Sequence, residues 1–188
     1  MRIIAGTARS LPLKSPSGLD TRPTTDRIKE TLFNILSPTI CDTNFLDLFS
    51  GSGAIGLEAV SRGAKSATFI EKNKEAIACI RENIAFTGFE NQCRLIEGDV
   101  PTALNRMQGE RGYDYIFLDP PYHQDLYRKV LTILSQASFV DCDTTIIVET
   151  AIENPLDYLE ELGFCQVRYK KYKTNAHVFI QRMVGENK

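Results

Sequence analysis

The hydrophobic positions of this chain keep a helical period first, then a strand–helix alternation, then a strand period. Between Thr25 and Leu36 the apolar residues Ile28, Leu32, Ile35 and Leu36 recur on one helical face. Thr24 or Thr25 is placed to cap that helix and Pro38 to stop it. Beyond it, short apolar runs at 44–48, 66–71, 93–97, 114–118 and 144–149 alternate with helical stretches near 54–62, 73–86, 100–107, 125–136 and 154–161. Short buried strands alternating with helices predict βαβ units, hence a mostly parallel sheet with helices on both faces. After Gly163, two extended segments (about 164–172 and 176–183) flank Lys173-Thr174-Asn175 and predict a terminal hairpin that adds antiparallel strand. Residues 2–14, punctuated by Gly6 and Pro12, read as an extended or hairpin arm, and residues 15–23 as loop.

Composition narrows this little. The 188 residues suffice for one full core, and 43% apolar with 24% charged residues is ordinary for a water-soluble protein. No apolar run is long enough to span a bilayer, and Met1 to Gly6 lacks a signal-peptide pattern, so cytoplasm is the expected compartment. Five scattered cysteines without a Cys-x-x-Cys pair, and two histidines, His123 and His177, predict neither a metal site nor a disulfide framework. Charge changes the picture more. The net value of −2 conceals +3 over residues 1–30, −10 over 31–165 and +5 over 166–188. Phosphates meet local patches rather than net charge, so RNA binding stays open. A solvated surface with chance asymmetry gives the same numbers.

The candidate chemistry lies at the ends of the predicted strands. After the first comes Asp47-Leu48-Phe49-Ser50-Gly51-Ser52-Gly53-Ala54-Ile55-Gly56, whose glycines allow a tight turn and close ligand approach at a helix N-terminus. Glu71 ends the second strand, placed to accept ribose hydroxyls; Asp99 follows the third, placed for an adenine amino group. Each acid alone equally fits a helix cap. Together they fall on the sheet edge where such folds bind ligands. The glycines leave a nicotinamide dinucleotide and S-adenosylmethionine both open. Asp47 would repel a pyrophosphate and favour a cationic sulfonium with an amino-acid tail. The fourth strand, Tyr115 to Leu118, ends in Asp119-Pro120-Pro121-Tyr122. Proline fixes φ and lacks an N–H, so this loop offers a carboxylate, a free carbonyl and a flat ring. That set suits the exocyclic amine of a planar base, although Asp and Pro are also common turn residues.

Asp-Pro-Pro-Tyr with the glycine loop resembles the signature of class I, S-adenosylmethionine-dependent amino-methyltransferases. The opening Arg2 to Gly6, the stretch Arg22-Pro23-Thr24-Thr25-Asp26-Arg27 through Leu36, and Leu46 through Ala64 are similar to the RsmD family, which methylates a guanine N2 of 16S ribosomal RNA. The resemblance spans nearly the whole chain. It implies a Rossmann-like α/β fold with a mostly parallel seven-stranded sheet, forming one methyltransferase domain with residues 1–23 as extension and 24–188 as catalytic core. It implies that Asp119, Pro120, Pro121 and Tyr122 hold the target base. It implies cofactor contacts from Asp47, Phe49, Ser50, Gly51 and Gly53, from Glu71, Lys72, Asp99 and Val100, and from Arg22 and Thr24 at the entrance. Arg9, Lys14 and Arg27 are the expected RNA contacts, in a monomer acting on the small subunit or an assembly intermediate. Phe33 reads as core, and His123 as a bystander. The chain departs from the family in its sparser N-terminal basic cluster and in Asn175-Ala176-His177, where a glycine is expected. Alternatives are an adenine-N6 methyltransferase using the same loop, a protein-glutamine methyltransferase, a dinucleotide-dependent oxidoreductase, and a non-catalytic RNA-binding module.

Overall fold

A computed structural model describes residues 1–16, 25–121, 124–154 and 156–183. Seven strands form a sheet in the order β3-β2-β1-β4-β5-β7-β6. The parallel part is β1 (Asn44–Leu48), β2 (Ser66–Glu71), β3 (Cys93–Glu97), β4 (Tyr115–Leu118) and β5 (Thr145–Ala151). Strands β6 (Phe164–Lys171) and β7 (Asn175–Arg182) form the predicted hairpin, with β7 antiparallel to β5. The helices are α1 (Asp26–Leu36), α2 (Ala54–Ser61), α3 (Lys74–Thr87), α4 (Val100–Arg106) and α5 (Gln124–Gln136).

Central parallel strands are covered on both faces, so their side chains are apolar almost without a break. In β1 the run Phe45-Leu46-Asp47-Leu48 is wholly buried, and alternation divides it between two cores. Phe45 joins Phe69, Phe117, Ile147 and Phe179 with residues of α1, α2 and α3; Leu46 and Leu48 join Ile116 and Val148 with residues of α4 and α5. Asp47 therefore stands on the α1–α3 face. Thr25 caps α1 by accepting from Ile28 N, as predicted, and the helix ends at Leu36, two residues before Pro38. The N-terminal arm folds back on itself through an antiparallel bridge between Arg2 and Pro12 and lies on α2, where Thr7 N donates to Ser61 O at 2.8 Å.

Two expectations change. The helix expected over 154–161 is a single 3-10 turn, Glu160–Leu162. Pro155 disfavours helical backbone at Asn154, whose N–H and side chain bond back to Ala151 and Thr150, and left-handed Gly163 ends the segment. Strand β5 also runs two residues past its predicted end, because Thr150 and Ala151 pair with Ala176 and Asn175 of β7. Among the described residues no helix is long and apolar enough to cross a membrane.

Candidate active site

The turn after β1 is built around two left-handed glycines, Gly51 (φ 55°) and Gly53 (φ 77°), with Phe49 also at positive φ (59°). Gly53 caps α2 but has no side chain to accept the first N–H groups. Asp47 supplies the acceptor instead: its Oδ2 takes the Gly56 N–H at 3.0 Å. Gly56 is required for packing, since a Cβ there would lie 2.4 Å from Phe69 Cε1, whereas a Cβ on Gly51 would meet nothing within 4 Å. Ser50 is buried; its hydroxyl donates to Asp47 O at 2.6 Å and accepts from Ile70 N at 3.1 Å, tying the turn to β2. Asp47 is 2% exposed. Burial pushes its carboxyl up to about 8, opposed by the Gly56 N–H and reinforced by the charge of Glu71. No ion pair to Asp47 occurs among the described residues.

Glu71 is anchored against the glycine turn. Its Oε2 accepts from Gly51 N at 2.9 Å, and its Oε1 accepts from Lys72 N at 2.8 Å and Asn73 N at 2.9 Å. Asp99 caps α4 through Oδ2, accepting from Thr102 N and Oγ1 at 3.3 and 3.1 Å. Its neighbour Val100 is buried in the α4–α5 core, and Lys72 is exposed.

Asp119 follows β4, half-buried, with Pro120 buried and Pro121 exposed. Strand alternation continues from Phe117 and puts Asp119 on the face of Asp47. Burial raises its carboxyl well above the usual range, and the charges of Glu149 and then Asp47 push the same way. Tyr122, His123, Arg22, Pro23 and Thr24 lie outside the described residues. The three expected RNA contacts stand on separate elements: Arg9 exposed in the turn of the arm, Arg27 exposed in the first turn of α1, and Lys14 against α3, its Nζ 2.5 Å from Glu82 Oε2. Phe33 is fully buried core, and Phe49 packs partly buried against the α4–α5 side.

Sequence reasoning missed Glu149 and His177. Glu149 carries the same signal as Asp47, an acid near the C-terminal end of an apolar run. His177 carries none beyond its residue type, because its partner stands 28 residues away on another strand. Among the described residues no His, Cys, Asp and Glu group is arranged to hold a metal ion.

Strand order, one reversed strand beside β5, and loops carrying acids at one edge together define a Rossmann-like class I methyltransferase fold. The family described as Conserved hypothetical protein 95 matches residues 1–181. The ribosomal RNA small subunit methyltransferase D of Haemophilus influenzae is 38% identical over 159 residues, covering 83% of this chain and 81% of that protein. Its Escherichia coli K12 namesake is 35% identical over 183 residues, 94% and 91% of the two chains. The solved structure of the putative methyltransferase yhhF from Escherichia coli superposes with a TM-score of 0.86 at 35% identity, covering 97% of this chain and 98% of that one. The chain belongs to the RsmD family.

Proposed function

We propose that this chain transfers a methyl group from S-adenosylmethionine to small-subunit ribosomal RNA, and that the accepting atom is the exocyclic N2 of a guanine. The relatives named small-subunit ribosomal RNA methyltransferase D support the substrate class. The observation that carries the reading is Asp119: a carboxyl fixed by two prolines at the strand edge, on the sheet face of Asp47.

The site fits S-adenosylmethionine better than a dinucleotide. Asp47 is buried without an ion-pair partner among the described residues, which favours a ligand of positive charge and disfavours a pyrophosphate. Asp47, Phe49, Ser50, Gly51 and Gly53 form the pocket for its amino-acid end. Glu71 keeps a lone pair of Oε2 for ribose hydroxyls, with Lys72 beside it, and Asp99 and Val100 border the adenine. Arg22 and Thr24 contribute the remaining cofactor contacts. When bound, S-adenosylmethionine supplies an electrophilic methyl group.

The chain's own residues prepare the acceptor. An exocyclic guanine amine is a weak nucleophile because its lone pair is delocalised into the ring. Asp119 and the Pro120 carbonyl accept its two N–H groups and turn the lone pair outward, and these bonds strengthen as positive charge develops on nitrogen. Pro121 keeps the loop rigid, and Tyr122 stacks on the base, worth about 1–3 kcal/mol. The target nucleotide leaves its stack to reach this edge, which favours a loop or bulge. Arg9, Lys14 and Arg27 contact RNA phosphates, Lys14 by exchanging Glu82 for phosphate. The chain acts as a cytoplasmic monomer and one catalytic unit, with residues 1–23 as its extension and 24–188 as its core.

Tritiated methyl transfer to small ribosomal subunits from a strain lacking this protein, followed by nucleoside analysis, tests the reading. N2-methylguanosine is the expected product. Asp119→Ala should lose all detectable transfer while binding S-adenosylmethionine normally; full turnover by that variant would sink the mechanism.

A further inference from the structure

A hydrogen-bonded group beside Asp119 has no part in the roles above. Glu149 of β5 stands opposite His177 of β7 in the antiparallel register. Its Oε2 lies 3.1 Å from His177 Nε2, and its Oε1 accepts from Asn175 Nδ2 at 2.5 Å. The other imidazole nitrogen, Nδ1, lies 3.0 Å from the Tyr172 hydroxyl. His177 is fully enclosed, edge-on to Phe117 at 5.9 Å between ring centres. An imidazole between a carboxylate and a hydroxyl donates to the carboxylate and leaves the hydroxyl to donate to it. From the opposite face, Tyr127 of α5 donates its hydroxyl to the Glu149 carbonyl at 3.1 Å and fixes the strand end.

This group shares a face with Asp119. Strand β4 pairs with β5 so that Leu118 lies beside Val148; one step further out stand Asp119 and Glu149. Among the described residues, the titratable groups around Asp119 are Glu149 on β5 and Asp47 on β1, with Glu71 of β2 acting on Asp47. Behind Glu149 stand His177 and Tyr172; Lys170 of β6 is opposite His177 in register and exposed.

We propose that Glu149, held in place by hydrogen bonds to His177 and Asn175, makes Asp119 the group that takes the amine's proton during methyl transfer; this rests on the methyltransferase reading above. The nitrogen lone pair forms the new N–C bond, and the C–S bond breaks with its electrons left on sulfur. The nitrogen then carries one proton too many. The Asp119 carboxylate takes it, becoming a neutral carboxylic acid that later returns the proton to water. A carboxyl in water would hold an N–H group but not keep its proton. Burial and the like charge of Glu149 both raise the proton affinity of Asp119, which suits it to this step. Glu149, His177 and Asn175 act through Asp119 and are positioning residues.

The test is the titration midpoint of Asp119, read by carbon-13 NMR of the full chain with Asp119→Asn assigning the signal. Glu149→Gln removes the charge and keeps the shape. Asn175 Oδ1 has no hydrogen-bond partner among the described residues, so an amide flip lets it accept from the new side chain. The midpoint should fall by about one pH unit or more. The acid limb of kcat for methyl transfer to small ribosomal subunits should move down with it, with KM for S-adenosylmethionine unchanged. His177→Phe removes the donor to Glu149 and should shift the midpoint the same way. His177→Gln restores an N–H toward Glu149 and should recover most of that shift. An unmoved midpoint in Glu149→Gln, or equal midpoints in the two His177 variants, overturns the inference. If the midpoints move as stated but the subunits are not methylated, the coupling of Glu149 to Asp119 stands and the ribosomal reading fails.

Discussion

Two buried charge clusters differ in balance. In the first, Glu58 of α2 is fully buried against Lys29 Nζ at 3.0 Å and Arg62 Nε at 2.8 Å. It also accepts the N–H groups of Ile4 at 2.8 Å and Ala5 at 3.0 Å, while Lys29 Nζ donates to Arg2 O at 2.6 Å. Burial lowers the pKa of Lys29 and Glu58 opposes that shift. Every charge there has a partner, and the product is mechanical: the N-terminal arm is fastened to α1 and α2. In the second, Asp47, Asp119 and Glu149 share one sheet face with one imidazole among the described residues, and the carboxyls of Asp47 and Asp119 are raised. A balanced cluster holds structure. An unbalanced one keeps a standing demand for a cation or a proton, which a ligand or a reaction can meet.

Breaking the balanced cluster should have the largest effect. Glu58→Ala leaves Lys29 buried without its carboxylate and should cost about 3–5 kcal/mol in urea denaturation. A loss below about 1 kcal/mol would show that the cluster contributes little. The double variant Lys29→Met/Glu58→Gln removes the fully buried pair and should be more stable than Glu58→Ala, because the enclosed Lys29 ammonium is gone and only Arg62 loses its carboxylate. In the unbalanced cluster the order reverses. Asp47→Asn keeps an acceptor for the Gly56 N–H, so stability at about pH 4, where folded Asp47 is still protonated, should change little. Affinity for S-adenosylmethionine, measured by calorimetry, should fall by about 1.5–3 kcal/mol. The stability consequence of Asp47 shows in pH dependence. Unfolded, Asp47 ionises at about 3.9, the ordinary value for an aspartate; folded, at about 8. Between these values the folded state holds the extra proton, so the wild type loses stability as pH rises through that window. Asp47→Asn lacks that loss, and its Tm should gain on the wild type between those pH values. A constant Tm difference across the window would contradict the raised carboxyl.

The elements legible in the sequence are those whose signal is local. Tyr115 to Leu118 is apolar without interruption, and Phe45 to Leu48 is broken only by Asp47, because both faces are covered, and the matching strands begin and end within a residue or two of expectation. The acids Asp47, Glu71, Asp99 and Asp119 were legible as strand-end residues, and Asp99 does cap a helix, as the plainer reading allowed. Lys29 was not legible: a charged residue on an amphipathic helix reads as solvated until the arm closes over it. Glu149 with His177 was hidden for a related reason, since their contact depends on the β5–β7 register.

By itself, the sequence determined the order of strands and helices, the glycine turn, and a row of acids at strand ends. These follow from interactions within a few residues: periodicity, caps, and the fixed φ of proline. Only the tertiary structure decided which acids stand side by side, which one Asn175 and His177 hold, and which carboxyls are raised. Proton affinity depends on distance and on exclusion of water, and both are set by strand register and by layers packed from distant parts of the chain.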